Sequence, residues 1–175
     1  MGGNLFNTCA IKGTYVRDHA RIFMMSVIQM PDLEHHITGS FRRGAEYCGD
    51  IELVFVPKSD EEKAELMGKI AKQFGCNKST HGPKLNGQYG CVQFDLHIAS
   101  SRTLGAMLLH TTGSYAFNIV MRRRASERGL LLNQYGLFNK CTREPVVLGS
   151  DEERFFKYLD MDFVDPKDRS KENYG

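Results

Sequence analysis

The sequence lacks the features that would tie it to a membrane or to the secretory pathway. No apolar run approaches the ~18 to 20 residues that a helix needs to span a bilayer. The first residues, MGGNLFNTC, contain neither the basic segment nor the apolar segment of a signal peptide. We therefore expect a protein that is not secreted and has no membrane partner.

Metal-binding and disulfide patterns of cysteine are absent as well. The five cysteines are scattered and odd in number, and none of them forms a CxxC pair. This spacing argues against a zinc ribbon and against a disulfide framework, and it favours reduced thiols in the cytoplasm or the nucleus. The histidines show no metal-ligand spacing either, so we expect them in surface or core roles.

A marked excess of positive charge is also missing, since the net charge is +2 over 175 residues. A domain that binds nucleic acid is usually more basic. Any contact with DNA must then come from local basic patches, and non-specific affinity should be modest and sensitive to salt. The length suits one compact domain divided into two lobes.

What the chain does contain is a series of predicted strands and helices. Periodicity predicts an amphipathic helix over residues 15–30, an acid-bearing strand over 48–57 and a period-two strand over 91–99. Between the two strands lies a helix that opens with the capping box SDEE, followed by a polar loop over residues 77–90.

The last third of the chain has a different pattern. Helices are expected over residues 103–110 and 115–128, and the segments LLLNQYGLF and EPVVL are expected to pair as a hairpin. A second capping box, Ser150 with Glu153, is predicted to open a further helix, and the tail from residue 165 is predicted to be loose. The whole pattern predicts an α+β fold, in which a mixed sheet with helices precedes a smaller helix-plus-hairpin lobe.

Three acidic residues, Asp50, Glu52 and Asp95, are the only ones predicted on the polar faces of strands. Asp50 and Glu52 are two residues apart, so they share a face of their strand. At ~5 Å and an effective dielectric of ~20, two such charges repel by about 3 kcal/mol. If the two strands are neighbours, the three carboxylates converge on an oxygen-rich site that suits two Mg²⁺ or Mn²⁺ ions. A solvated strand face is the alternative explanation for the pair on the first strand.

A Gly-Ser turn at residues 39–40 precedes these acids. If the turn opens a short helix, its backbone N–H groups offer a seat for an anion. Arg43 adds a guanidinium fork that matches phosphate oxygens. A Gly-Ser turn alone is more often structural, but this turn, the arginine and the three acids in this order favour a functional site. Metal ions beside a phosphate imply transfer of a nucleotidyl group.

These residues carry a resemblance to a known family. The segment GSFRRGAEYCGDIE resembles the signature of the polymerase-beta-like nucleotidyltransferases, and specifically of the family X DNA polymerases. Two later segments, TGSYAFNIVMRRRASERGLLLNQYGLF and RFFKYLDMDFVDPKDRS, resemble the thumb and the C-terminal end of that family. The resemblance implies a nucleotidyltransferase palm over residues 1–101, which carries the carboxylates, and a thumb over residues 102–175.

The resemblance also implies a role for each candidate residue. Asp50, Glu52 and Asp95 would be the catalytic metal ligands, and Asp95 would also draw the proton from the primer 3′-hydroxyl. The implied nucleotide-binding residues are Ser40, Arg43, Gly49, His110, Thr111, Gly113, Tyr115 and Asn118. The implied DNA-binding residues are Arg122 and Arg123, for which a solvated helix face is the alternative interpretation.

The chain departs from the family pattern at four places. Glu52 stands where the family has Asp, and Gln93 replaces an arginine two residues before the third acid. His110 and Thr111 replace a Tyr-Phe pair that crowds the sugar 2′ position, so we expect weak rejection of ribonucleotides. About 38 residues precede the Gly-Ser turn, which is too few for the lyase domain and helix-hairpin-helix clamp of larger members. The chain therefore resembles the compact viral polymerases of this family.

The sequence thus predicts a template-directed DNA polymerase that adds dNMP to a primer 3′ end and fills short gaps in DNA repair. Its expected partners are primer-template or gapped DNA and a dNTP. An rNTP is expected as well, because the pair that excludes a sugar 2′-hydroxyl is replaced by His110 and Thr111. We expect a monomer. Two alternatives stay open, namely a template-independent terminal nucleotidyltransferase and a catalytically weak protein that binds DNA ends.

Overall fold

The computed structural model describes residues 10–74 and 85–174. In chain order, its first lobe contains β1 (Ile11–Lys12), α1 (Gly13–Phe23) with a π-helical continuation (Met24–Ile28), β2 (Glu34–Ile37), α2 (Gly39–Arg42), β3 (Tyr47–Cys48), β4 (Ile51–Val56), α3 (Asp60–Phe74), β5 (Leu85–Tyr89) and β6 (Val92–Ile98). The second lobe contains α4 (Leu104–Thr112), α5 (Tyr115–Glu127), β7 (Leu130–Asn133), β8 (Gly136–Asn139), β9 (Pro145–Val147), α6 (Glu153–Tyr158), a 3₁₀ turn (Pro166–Asp168) and α7 (Lys171–Tyr174). The predicted α+β fold, a mixed sheet with helices followed by a smaller lobe of helices and short strands, is confirmed. Within the described ranges, no helix is both long and apolar enough to cross a membrane.

Helix α1 forms because its apolar residues recur every three to four positions. Val16, Ala20 and Phe23 are buried along one face and pack on the main sheet. The π-helical turn that continues the helix ends at Gln29, whose backbone is left-handed with a φ of 51°. Pro31 follows two residues later, as expected for a residue that cannot extend a helix.

The main sheet has the strand order β2-β4-β6-β5. Strands β4 and β6 are parallel, so the chain must return across the sheet between them, and α3 lies in that crossover. Helix α3 is capped as the SDEE pattern predicts, because the Ser59 hydroxyl accepts a hydrogen bond from the N–H of Glu62 at 3.2 Å. The Glu62 carboxylate accepts its own bond from the N–H of Lys58, one residue earlier than the capping box requires.

Strand β4 is covered on both faces, which explains its nearly continuous apolar sequence. On one face, Leu53 and Phe55 pack with α1 and α3 in the core of the first lobe. On the other face, Val54 and Val56 pack against α4, where they contact the side chain of Met107. Through this second contact, β4, the strand that also carries Glu52, joins the two lobes.

The second lobe has its own core under a three-stranded antiparallel sheet of order β7-β8-β9. Helix α5 supplies Phe117, Met121 and Ala125 at helical spacing, and α6 supplies Phe155 and Phe156. The predicted hairpin is therefore only partly right. Strands β7 and β8 both lie within the segment LLLNQYGLF, and the EPVVL segment adds β9 as a third strand.

Three local expectations are wrong. Residues 85–89 of the expected polar loop form β5 on the edge of the main sheet, whereas residues 77–84 of that loop lie outside the described residues. Ser150 does not cap α6, because the N–H of Glu153 is bonded at 2.9 Å by the carboxylate of Asp151. The tail is not loose, since it forms the 3₁₀ turn and buries Arg169 completely.

Candidate active site

The register of the main sheet brings two of the three predicted carboxylates to adjacent positions. Glu52 on β4 pairs directly with Asp95 on β6. Paired residues on neighbouring strands project from the same face of a sheet, and here that face carries Val54 and α4. Asp50 lies in a bend immediately before β4, two residues before Glu52. The backbone therefore places Glu52 and Asp95 side by side, with Asp50 close to Glu52 in the chain.

The carboxylate of Glu52 lies between a histidine and a glycine. Its Oε1 atom is 3.6 Å from Nε2 of His97, a buried nitrogen with no hydrogen-bond partner among residues 10–74 and 85–174. On the other side lies Gly39, where the backbone is left-handed and where an added Cβ would collide with Oε2 of Glu52. Gly39 belongs to the Gly-Ser turn that the sequence singled out, whereas His97 was not expected at the site. The period-two pattern was the available signal for His97, since it places that residue on the same face as Asp95.

The donor chemistry of this site fits divalent cations. Carboxylate oxygens are the ligands that Mg²⁺ and Mn²⁺ prefer, and three of them are supplied here by adjacent backbone positions. The side chains are not yet gathered around one point, however. The described part of the chain contains no group of three or more His, Cys, Asp or Glu side chains arranged closely enough to hold a metal ion. The backbone therefore pairs Glu52 with Asp95, but it does not by itself form a metal site.

Helix α2 carries the predicted phosphate seat. Ser40 is the second residue of this short helix and is half-buried, and Arg43 follows its last residue. Nη1 of Arg43 donates a hydrogen bond to the carbonyl oxygen of Thr112 at 2.5 Å, which holds the guanidinium at the junction of the two lobes. Gly49 is exposed, and a Cβ added there would meet nothing within 4 Å. The glycine that the packing requires is therefore Gly39 rather than Gly49.

The loop between α4 and α5 approaches the same arginine. Gly113 has a φ of 63°, and a Cβ built on it would lie 3.5 Å from Nη1 of Arg43 and 3.8 Å from Nδ2 of Asn118. The peptide bond from Gly113 to Ser114 is cis. Arg43, Gly113 and Asn118, which sequence analysis assigned to nucleotide binding, therefore lie next to one another at the lobe junction.

His110, Asn118 and Arg122 are connected on the thumb side of this junction. Nδ2 of Asn118 donates a hydrogen bond to the His110 carbonyl oxygen at 2.8 Å, and Nη2 of Arg122 lies 3.1 Å from Nδ1 of His110. These three residues line one small cavity. Thr111 does not line it, because its side chain is buried and its hydroxyl donates to the carbonyl oxygen of Met107 at 2.8 Å. Of the two residues that sequence reasoning expected at the sugar, Thr111 is thus buried, whereas His110 is partly exposed.

Three other predicted residues lie on the solvent side of α5. Tyr115 is 83% exposed, so it is accessible to a ligand but is not held by packing. Arg122 and Arg123 are both exposed. Nε of Arg123 donates to the carboxylate of Glu127, one helical turn later, at 3.1 Å. The two arginines therefore differ in their partners, since Arg122 contacts His110 and Arg123 pairs with Glu127.

A buried charge cluster beside the site was missed by sequence analysis. The carboxylate of Glu152 accepts a hydrogen bond from Arg42 at 2.8 Å through one oxygen and from Arg169 at 2.5 Å through the other. Arg42 also donates to the hydroxyl of Thr112 at 2.6 Å. Because Arg42 lies on α2, one carboxylate connects the helix of the phosphate seat to the second lobe. The double arginine at residues 42–43 was the only sequence signal, and it did not indicate a partner.

Arg169 is the most deeply buried member of this cluster. Its guanidinium lies 5.1 Å from the ring centroids of both Phe117 and Phe156, and it donates two hydrogen bonds to the carbonyl oxygen of Val164. Burial lowers the pKa of Arg169 from its ordinary value, and the negative charge of Glu152 acts in the opposite direction. The folded state therefore holds this proton less tightly than the unfolded chain does, and Glu152 offsets much of that cost.

The sequence matches two models of one family. The model described as "DNA polymerase beta palm" matches residues 12–82, and the one described as "DNA polymerase beta thumb" matches residues 107–170. Together the two models cover most of the chain, and the second begins within α4.

Similar proteins agree with these models. The repair DNA polymerase X of African swine fever virus is 28% identical over 137 residues, which cover 75% of this chain and 78% of the viral protein. The DNA nucleotidylexotransferase of Gallus gallus is 26% identical over 184 aligned residues. The alignment covers 81% of this chain but only 36% of that enzyme.

The fold agrees with a solved structure of polymerase beta from Leishmania infantum, described as a ternary P/T complex. The two chains share 19% identity with a TM-score of 0.73, over 94% of this chain and 78% of the other. The resemblance found in the sequence is thereby confirmed in both lobes. The chain belongs to the family X DNA polymerases, the DNA-directed nucleotidyltransferases related to polymerase beta, and this membership implies a general requirement for a divalent metal.

Proposed function

We propose that this protein fills short gaps during DNA repair by template-directed addition of dNMP to a primer 3′ end. The observation that carries the proposal is the direct pairing of Glu52 with Asp95, with Asp50 beside them and the phosphate-seat helix α2 packed against Glu52. Nucleotidyl transfer needs carboxylates and a phosphate seat in contact, and the backbone provides both. The identity to a repair polymerase over most of the chain supports the same conclusion.

Asp50, Glu52 and Asp95 would hold two Mg²⁺ or Mn²⁺ ions. When bound, such ions activate the primer hydroxyl and neutralise charge on the leaving pyrophosphate. Asp95 would also accept the proton of the primer 3′-hydroxyl. It is suited to this role because it is buried and held by β-sheet pairing on both sides, which limits its movement. The primer 3′-oxygen then attacks the α-phosphate of the dNTP, and pyrophosphate leaves without a covalent enzyme intermediate.

The nucleotide would lie against the lobe junction. Ser40, Arg43 and Gly49 would hold the triphosphate, and Gly113 lets the α4–α5 loop approach Arg43 closely. The base and sugar would then face His110, Asn118 and the exposed ring of Tyr115. These contacts act mainly through positioning and charge neutralisation, which are the principal contributions to phosphoryl and nucleotidyl transfer.

The templating strand would be contacted by Arg122, whose guanidinium lies 3.1 Å from Nδ1 of His110. Arg123 would make a weaker contact with the DNA backbone, since Glu127 partly neutralises its charge. We further propose that the lobes divide at residues 101 and 102, that the enzyme acts as a monomer, and that it works in the cytoplasm or the nucleus.

The central test is the Asp95→Ala substitution. Because a carboxylate on the polar face is replaced, the fold should persist, while extension of a primer on gapped DNA should fall by at least about a thousandfold. Asp18→Ala, which removes an exposed carboxylate from α1, is the matched control and should extend primers normally. Normal nucleotide addition by the Asp95→Ala protein would show that Asp95 is not part of the active site.

A second candidate function is template-independent tailing of DNA or RNA ends. It is favoured by the two residues that replace the family's Tyr-Phe pair, since Thr111 is buried and bonded to Met107, which leaves only His110 to contact the sugar. One labelled primer, offered alone and on a gapped template with each nucleotide singly, separates the two functions. Equal addition of all four nucleotides to both substrates would support tailing. No extension of any primer with Mg²⁺ or Mn²⁺ would leave only the third alternative, a protein that binds DNA ends.

A further inference from the structure

The outer edge of strand β2 is open in the described part of the chain. Strand β2 pairs with β4 on one side, and no other strand of the main sheet lies beyond it. The N–H of Thr38 donates to the carbonyl oxygen of Glu52 at 2.9 Å. Because hydrogen-bonded positions alternate in an antiparallel pair, the N–H and C=O groups of His35 and Ile37 point away from β4. These four backbone groups can pair with an added strand.

An apolar cavity lies beside this edge on the α1 side of the sheet. Its volume is about 560 Å³, and His35 and Ile37 form part of its wall. Three methionines, Met24, Met25 and Met30, line it together with Arg17 and Arg21, and Met25 is 65% exposed. Methionine side chains adapt to differently shaped partners and are common at surfaces that bind apolar residues. This cavity is therefore suited to apolar side chains of an extended segment.

A basic cavity lies beside the same edge on the α4 side. It has a volume of about 570 Å³, and His35 and Ile37 belong to its wall as well. Arg17, Arg42 and Lys167 are the lysine and arginine side chains in its lining. Arg42 is paired with Glu152, so Arg17 and Lys167 contribute most of the available positive charge. Among the described residues, no Asp or Glu lines either cavity.

We propose that the edge of β2 binds an extended acidic segment of a partner protein, which adds to the main sheet as a fifth strand. Successive side chains of a strand point to opposite faces. An added strand in which apolar residues alternate with Asp or Glu would therefore place the apolar ones against the methionines. The acidic ones would then face the cavity that Lys167 and Arg17 line, and Arg17 lines the methionine cavity as well. Backbone pairing supplies affinity in this mode, and the two cavities supply specificity.

The observations favour a peptide over a nucleic acid at this surface. A DNA strand could use the positive charges, but it has no amide ladder to pair with His35 and Ile37 and no aliphatic side chains for the methionine cavity. None of the three candidate active-site carboxylates lines either cavity. The proposal therefore does not depend on the proposed polymerase reaction, and peptide binding can be measured without DNA.

The test begins with a display library of random decapeptides selected on the full-length protein. We expect enrichment of peptides in which Leu, Ile, Val or Phe alternates with Asp or Glu. The best peptide is then synthesised with a fluorescent label, and its affinity is measured by anisotropy. Methylating every second backbone nitrogen should weaken binding at least about tenfold in one of the two registers only, because an added strand pairs through alternate residues.

Substitutions in the protein locate the surface. The double variant Arg17→Glu and Lys167→Glu should weaken peptide binding about tenfold, since each rim charge pair contributes modestly. His35→Pro should also weaken it, because it removes an outward N–H without breaking a bond to β4. Lys63→Glu, on the exposed face of α3, is the matched control and should bind normally. Circular dichroism melts establish that each variant is folded.

Several results would overturn the proposal. These are a selection that enriches no peptide, equal tolerance of methylation in both registers, and unchanged peptide affinity in the folded charge-reversed protein. A nucleic-acid surface is the remaining outcome. It would be identified if the charge-reversed protein lost affinity for labelled oligo-dT while its peptide affinity stayed at the wild-type value.

Discussion

Removing the carboxylate of Glu152 should destabilise the protein strongly. The Glu152→Ala substitution leaves Arg169 buried without its counter-charge and leaves Arg42 without the ion pair that connects α2 to the second lobe. Breaking a buried pair by deleting one partner typically costs about 3 to 5 kcal/mol. Arg169 has no exposed surface, so water cannot replace the lost partner, and its pKa is already lowered by burial. We therefore expect the free energy of unfolding to fall by about 3 to 5 kcal/mol.

The measurement is unfolding in urea, followed by circular dichroism, together with a thermal melt. For a chain of this size, a loss of 3 to 5 kcal/mol corresponds to a fall in Tm of about 6 to 20 °C. Glu153→Ala, which removes the adjacent but exposed carboxylate, should change stability by less than about 0.5 kcal/mol. Replacing both buried charges, as in Glu152→Leu with Arg169→Met, should recover a large part of the loss, because the charge that remains, on Arg42, is 27% exposed and can be solvated.

Two results would refute this reasoning. One is a Glu152→Ala protein that unfolds at the same urea concentration as the wild type. The other is a double variant that is no more stable than Glu152→Ala alone. In either case the desolvation of Arg169 would not be what Glu152 offsets, and the three aromatic rings around the guanidinium would be sufficient to hold it.

Three further predictions concern single sites. Gly39→Ala should cost about 1 to 2 kcal/mol from the left-handed backbone alone and should reduce primer extension at least tenfold, whereas Gly68→Ala, in open space, should leave extension unchanged; normal extension by Gly39→Ala would contradict the close packing. The pKa of Glu61 is lowered by a hydrogen bond from Ser59, so this bond stabilises the folded state near neutral pH and ceases to do so as the pH falls through the lowered pKa. Ser59→Ala should therefore raise the pKa of Glu61 toward 4.5 in an NMR titration. An unchanged pKa would show that the hydrogen bond from Ser59 is not what lowers it. Because Thr111 is buried, incorporation of rUTP should be within about tenfold of dTTP in single-nucleotide kinetics, and a thousandfold preference for dTTP would show an effective sugar gate.

The sequence was sufficient to predict that the strands of Glu52 and Asp95 are neighbours with both acids on one face, because these positions follow from strand periodicity. Asp95 lies in a run where apolar and polar residues alternate strictly, and Glu52 lies opposite an apolar face. The core on one side of the sheet therefore determined the polar positions on the other. By contrast, β5 was missed because the segment LNGQY contains glycine and polar residues, and its strand conformation comes from pairing with β6.

The burial of Arg169 could not be predicted from the tail sequence. The segment around it is rich in charged residues, which is typical of a solvated tail. The side chain is buried because Glu152, distant in sequence, and a cluster of phenylalanines surround it. Likewise, Gly49 and Gly39 are equivalent as glycines in a motif. Only the position of the Glu52 side chain identifies Gly39 as the one that packing requires.

The pairing of β4 with β6 makes the alignment of the acids depend on hydrocarbon packing. The register that sets Ile51 opposite Phe94 inside the core also sets Glu52 opposite Asp95 on the reverse side. A register shift of one residue would turn Asp95 into the hydrophobic core and Phe94 onto the face that carries the acids. Substitutions that merely reshape the aliphatic layer under the sheet should therefore shift the enzyme's ion affinity, even though they leave every polar atom in place.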